Sequence, residues 1–218
     1  MLHAFLTANR TALITRCKNK VAERCAPSEN LAALEHGVPL FLQLLVEALR
    51  LHKNPSDLGS TPVVTEISRA AGIHGVDLLL QGYSVEQVVR DYGDVCQSVT
   101  ELASEQDESI STDEFHIFNR CLDDAIAEAV TSYGSARQVL LDDQAEILQQ
   151  RLTVFSAEHQ RLVGIVLHSC AAISTGNVGW RGSTGTLLIH TLEELRSLAA
   201  RTLPKIRRQP SATVAMTT

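Results

Sequence analysis

The chain has 218 residues and 44% hydrophobic residues, enough to bury a real core in one large domain or two small ones. Aromatic residues make up only 4%, with Gly 12 and Pro 6, which excludes a β-sandwich or barrel of this size. A formal net charge of −6 argues against general binding to nucleic acid or an anionic membrane, both of which need a basic surface. No apolar run reaches the length of a membrane span and no signal peptide opens the chain, so a cytoplasmic protein is expected. Cys17, Cys25, Cys96, Cys121 and Cys170 form no C-x-x-C pair and are odd in number. They predict buried thiols in a reducing compartment, with no metal site and no disulfide framework.

In chain order, the pattern predicts helices throughout. Leu2, Leu6, Leu13, Cys17 and Val21 stand at helical spacing, which predicts one amphipathic helix over Leu2 to Cys25, stopped by Ala26-Pro27-Ser28. A short helical piece over Asn30 to Glu35 leads into Pro39, which suits the first turn of a helix over Leu40 to His52. That helix is apolar nearly all round and is expected to be the most buried. Lys53 to Thr61 reads as a loop. Pro62 opens the next helix, with Ile67, Ala71, His74 and Leu78 on one face and Gly82-Tyr83 at its end. Ser84 with Gln87, and Ser111 with Glu114, form capping boxes for two more helices. The first carries Val85, Val88, Tyr92, Val95, Val99 and Leu102, and the second Phe115, Phe118, Leu122, Ala125, Ala129 and Tyr133. These elements predict a compact α-domain over residues 1–135.

After Gly134 the pattern changes. Leu141, Ala145, Leu148, Leu152, Phe155, His159, Leu162, Val166, Ser169 and Ile173 alternate four and three apart, a heptad seam that predicts a long helix. The glycine-rich stretch Gly176 to Gly182 interrupts it. A last helix carries Leu188, Leu192, Leu195 and Ala199 and is expected to stop at Pro204. A hairpin with an apolar seam on each arm is half a bundle, so a parallel homodimeric four-helix bundle over residues 136–204 is expected. Its interface would use Leu148, Leu152, Phe155, Leu162, Val166, Leu188, Leu192 and Leu195. Residues 205–218 read as a disordered tail.

The stretch H-G-V-D-L-L-L-Q-G-Y-S-V-E-Q-V-V-R-D-Y-G-D-V-C-Q-S-V-T-E-L-A (His74 to Ala103) and the stretch E-F-H-I-F-N-R-C-L-D-D-A-I-A-E-A-V (Glu114 to Val130) resemble the N-terminal helical sensory domain of proteobacterial cytoplasmic sensor histidine kinases. That domain is related to the globin-like N-terminal domain of stressosome co-antagonist (RsbR-type) proteins. The resemblance covers about Met1 to Gln138 and implies a globin-like α fold with a sensory role. A second block, G-N-V-G-W-R-G-S-T-G-T-L-L (Gly176 to Leu188) through L-E-E-L-R-S-L (Leu192 to Leu198), is similar to the second half of the kinases' dimerisation and phosphoacceptor hairpin. The family continues into an ATP-binding domain, but no asparagine box or glycine-rich lid motif follows Pro204 here. The family's H-E-L-R-N box falls near Ala157-Glu158-His159-Gln160-Arg161. One register sets Ala157, which has no nucleophile, at the phosphoacceptor. A register shifted by two residues sets His159 there.

The resemblance implies a non-catalytic signalling protein of two-component type. It would sense through its N-terminal domain and dock a response-regulator receiver domain or a cognate histidine kinase through a dimeric hairpin. The alternatives are a phosphotransfer protein using His159, or the N-terminal part of a true sensor histidine kinase. His159 falls in the apolar seam, where a histidine more often sets register than accepts phosphate. His74 and Tyr92 are the candidate sensing residues. A hydrogen-bonded core histidine is the plainer reading of His74, and no second haem ligand or propionate-binding pair accompanies it, so no cofactor is expected. Asp91, Asp94, Asp123, Asp124 and Glu128 read as solvated helix faces, and no nucleophile motif marks a catalytic triad. Trp180 is either a loop anchor or a contact for a partner.

Overall fold

The computed structural model describes residues 1–24, 32–51, 62–176 and 178–207, with the side chains of 32–36 and 203–207 excepted. It is all-α. The described residues form seven helices and no strand: α1 (Leu2–Ala8), α2 (Arg10–Arg24), α3 (Ala32–Leu51), α4 (Pro62–Leu80), α5 (Val85–Glu105), α6 (Thr112–Ser174) and α7 (Ser183–Arg207). The chain divides into two compact units between Leu140 and Leu141, a point inside α6.

Local chemistry sets most of the boundaries. Asn9 separates α1 from α2, where a single helix was expected. Its backbone leaves helical geometry at φ −103° and ψ 12°, and both its backbone and side-chain nitrogens donate to the Phe5 carbonyl. Both capping boxes form as expected. Gln87 N–H donates to Ser84 Oγ while Ser84 N–H donates to Gln87 Oε1 at 2.7 Å. Glu114 N–H donates to Ser111 Oγ, and Glu114 Oε1 also accepts from the Leu2 N–H at 2.6 Å, capping α1 from across the unit. Gly82 closes α4 at φ +83°, a conformation that side chains resist.

Three expected breaks are absent. Pro39 lies inside α3 and Pro204 inside α7. Each removes one ladder bond, which burial of the apolar face of α3 offsets and which matters least in the last turn of α7. The helix expected to end at Tyr133 continues through Gly134 as one element of 63 residues. A helical glycine costs about 1 kcal/mol relative to alanine but keeps its N–H, so the ladder survives. Of the expected tail, residues 205–207 are helical and 208–218 lie outside the described residues. The expected loop at 53–61 and the piece at 30–31 also lie outside them.

In the first unit the expected stripes face inward except at their first residues, since Val85 of α5 and Phe115 of α6 are exposed. Phe41, Leu42, Leu45, Ile67, Leu78, Val88, Val95, Val99, Phe118, Leu122 and Ala125 share one core. The Tyr133 hydroxyl donates to the Tyr83 carbonyl at 2.9 Å, tying α6 to the turn after α4. Helices α4 and α6 meet through glycine. A Cβ on Gly75 would sit 2.2 Å from the Ala129 carbonyl oxygen, and one on Gly72 would sit 2.9 Å from Ser132 Oγ. In the second unit Leu162, Ser169, Leu188 and Thr191 are buried where α6 and α7 pack as a hairpin. Glu158, and behind it Glu194 of α7, hold the Arg161 guanidinium pKa above its usual value. Gly185 permits the turn, because its Cβ would lie 1.8 Å from the Trp180 carbonyl oxygen.

Gly75→Ala should therefore destabilise the protein by about 1–3 kcal/mol, because backbone cannot move aside cheaply. Gly72→Ala should cost less, since the ends of the Ser132 and Glu128 side chains can rotate away. Thermal unfolding of the two variants checks this order; equal stability of Gly75→Ala and the parent protein would contradict it.

Candidate functional site

The first unit holds a buried polar cluster that its helical stripes bring together. On α2, the stripe Leu13, Cys17 and Val21 is extended by Arg24 three residues on. On α5, Asp91, Asp94 and Ser98 recur at three and four, directly beside the apolar stripe Val88, Tyr92, Val95 and Val99. The two helices pack so that Arg24 meets Asp94 and Cys17 meets Ser98, with Sγ and Oγ 3.6 Å apart. Exposed pairs, Arg16 with Glu105 and Lys20 with Glu101, run along the same seam.

Asp91 and Asp94 are 4% and 3% exposed, which overturns the expected solvated face. Asp123 is exposed as expected, while Asp124 and Glu128 are half-buried. Arg24 engages Asp94 with both terminal nitrogens, the first at 2.7 Å to Oδ1. Asp91 stands further off, with its Oδ1 3.8 Å from one of those nitrogens, and its buried Oδ2 has no hydrogen-bond partner among the described residues. Burial first, then the neighbouring Asp94 charge, push the Asp91 carboxyl up to about 7, against a weaker downward pull from Arg24.

The two sensing candidates flank this cluster. His74, on α4, is 6% exposed, and the rings of His74 and Tyr92 meet edge to face with centroids 6.2 Å apart. Phe41 meets Tyr92 in the same manner at 5.6 Å. The His74 ring fills the space that a side chain at Gly37 would occupy, 2.3 Å from the position of such a Cβ. Neither ring nitrogen makes a hydrogen bond among the described residues, unlike the hydrogen-bonded core histidine expected. Burial lowers its pKa against a smaller opposing effect of Asp77, so the ring is neutral near pH 7. Burial, then the Asp91 charge, also raise the Tyr92 phenol. Gly37, Val38, Phe41, His74, Asp91, Tyr92 and Val95 line a small cavity of about 10 Å³.

Sequence periodicity brought out His74 and Tyr92 but missed Arg24, Asp91 and Asp94. The signal was there: a charged residue in register with an apolar stripe on each of two helices, of opposite sign. The thiols are mixed. Cys17 and Cys121 are buried, Cys121 pushed up to about 12 chiefly by burial, whereas Cys96 is half-buried and Cys170 is exposed, against expectation. Cys25 lies outside the described residues. Among the described residues no group of three or more His, Cys, Asp and Glu side chains is placed to hold a metal ion, and no helix is long and apolar enough to cross a membrane.

In the second unit, His159 is exposed on the single chain, where a seam histidine turned toward a helix was expected. Its ring stacks on Phe155, with centroids 5.9 Å apart and planes 26° off parallel. Ala157 is exposed beside it, and Glu158 pairs with Arg161 at 2.7 Å. Of the expected interface residues, Leu162 and Leu188 are buried within one chain, and Leu148, Phe155, Val166 and Leu195 are half-buried. Leu152 and Leu192 are exposed at 40% and 49%. Trp180 is 59% exposed.

The chain matches no family model, and no curated protein or solved structure is similar enough to count as a match.

The ion-pair geometry makes a specific expectation. Arg24→Met would leave two buried carboxylates without their cation, a loss of up to about 3–5 kcal/mol that the partial exposure of Arg24 should reduce. The defect should shrink as pH falls, because protonation of the carboxylates removes the uncompensated charge. Urea unfolding at pH 5 and pH 8 checks this; a pH-independent loss would contradict it.

Proposed function

We propose that this is a non-catalytic signal-transduction protein of two-component type. Its N-terminal helical unit would be the sensor and its hairpin the output, docking a receiver domain or a histidine kinase as a homodimer. The observation that carries this reading is α6. One uninterrupted helix contributes Phe118, Leu122, Ala125 and Ala129 to the core of the first unit and then supplies an arm of the hairpin. A helix of this kind has discrete packings, so a change at its buried half has a direct route to the hairpin. The resemblance of His74 to Ala103, Glu114 to Val130 and Gly176 to Leu198 to sensor histidine kinases supports the same assignment, with a globin-like sensory domain as its first half.

The homodimer rests on apolar surface that one hairpin leaves uncovered: Ile147, Leu152, Leu187, Ile189 and Leu192 are each at least 40% exposed. Light scattering at micromolar concentration should give a dimer. Leu192→Asp should weaken it at least about tenfold, roughly 1.4 kcal/mol, by placing a charge in the interface. A monomeric parent protein would contradict the arrangement. The docking role is tested by screening purified receiver domains and kinases of the host for binding to the full chain. Binding to one or a few of them is expected, and binding to none would overturn the reading.

The exposure of His159 favours a second reading, a phosphotransfer protein. An exposed imidazole on a hairpin arm is open to an in-line phosphoryl donor. Labelled ATP and host kinases decide between the two. Acid-labile label lost in His159→Gln and retained in His168→Gln establishes phosphotransfer, while an unlabelled chain leaves docking alone.

A further inference from the structure

We propose that the Arg24–Asp91–Asp94 cluster is the input site of the sensory unit and that its ligand is a proton, taken up from solvent onto Asp91. The inference rests on the signalling reading above and names its signal.

Two carboxylates, each at least 96% buried, face one guanidinium. Arg24 commits both terminal nitrogens to Asp94, so Asp91 is the weaker partner, and its Oδ2 is buried without a hydrogen bond among the described residues. An ionised carboxylate oxygen in that position is costly, and one added proton removes the excess charge. Among the described residues, the charges that act on Asp91 are Asp94, which adds to the cost of ionising it, and Arg24, which offsets part of that cost. From α2 the other titratable neighbour is Cys17, whose thiol burial holds in its neutral form. From α4 comes His74, kept neutral by burial, with Asp77 acting on it. From α5 come Asp94 itself and the un-ionised Tyr92. The wall from α3 is Gly37, Val38 and Phe41. The adjoining cavity, about 10 Å³, is too small for an organic ligand, which leaves the proton as the effector the site can take without opening.

The site also has a path outward. His74 borders the same cavity as Asp91, and it stands next to Gly75 on α4. Gly75 and Gly72 are where α4 rests on the α6 backbone and side chains at Ala129, Glu128 and Ser132. A proton on Asp91 gives its buried carboxyl a donor beside the cavity that Asp91 and His74 both line. Any resulting adjustment of His74 moves α4 where it has no slack against α6.

The experiment compares the full chain with Asp91→Asn, which mimics the protonated acid, and with Asp94→Asn, which leaves Asp91 one cation to itself. The folded-state pKa of Asp91 exceeds its unfolded value, so the native state holds the extra proton and stability falls as pH rises through about 7. Relative to Asp91→Asn, the parent protein should lose about tenfold in folding equilibrium constant between pH 6 and pH 8, a drop of roughly 3 °C in Tm. In Asp94→Asn the inflection should move to lower pH. The fluorescence of Trp180, the single tryptophan, should change over the same pH interval in the parent protein and stay constant in Asp91→Asn. An inflection shared by the parent protein and Asp91→Asn would overturn the proton site. A stability inflection with no Trp180 response would overturn its role as an input to the hairpin. Both signals intact, with no receiver domain or kinase bound at any pH, would uphold the proton site and remove only the docking reading.

Discussion

The constraint on which the rest of this structure depends is the continuity of α6. Residues 112–174 form one hydrogen-bonded ladder, and no proline interrupts it. Helix formation is cooperative, so each turn of α6 is supported by the hydrogen-bonded turns on either side of it. Gly134 is the point where a break was expected, and it stays helical because the residues before it are fixed by the core. Ala125, Ala129 and Tyr133 are buried, and the Tyr133 hydroxyl is anchored on the Tyr83 carbonyl.

The core of that unit is unusual in what it tolerates. Around an apolar interior it keeps two buried carboxylates and a buried imidazole, with a partly exposed guanidinium at its edge. Apolar side chains of similar volume would commonly be as stable or more so, and a half-satisfied polar group is a liability. Asp94 is satisfied by Arg24, but Asp91 is left with a buried oxygen that has no hydrogen-bond partner among the described residues. The two glycines of α4 place that site one helix away from α6.

Much of the fold was legible because its signals are local. The capping boxes at Ser84 and Ser111, the stop at Gly82 and the stripes of α4 and α5 depend on residues within a few positions of one another. The prolines were misjudged for the opposite reason. Pro39 and Pro204 break helices by intrinsic propensity, and tertiary packing or position in the last turn outweighs that propensity here. The buried carboxylates were missed because a lone helix does not reveal its partner. Asp91 and Asp94 look like a solvent face until α2 is laid antiparallel to α5 and Arg24 arrives opposite them. His159 shows the same limit. Its heptad position is correct by count, yet a seam position is buried only as far as a second helix covers it, and on one chain Leu162 and Ser169 are covered while His159 is not.

The central claim is that α6 acts as a single element from the core of the first unit into the hairpin. Amide hydrogen exchange over residues 125–160 of the full chain tests it most directly. The account predicts protection that continues through Gly134 and across the Leu140–Leu141 boundary, declining smoothly without a fast-exchanging segment. A run of unprotected amides around Gly134, with protected helix on either side, would show two helices joined by a hinge and would contradict it.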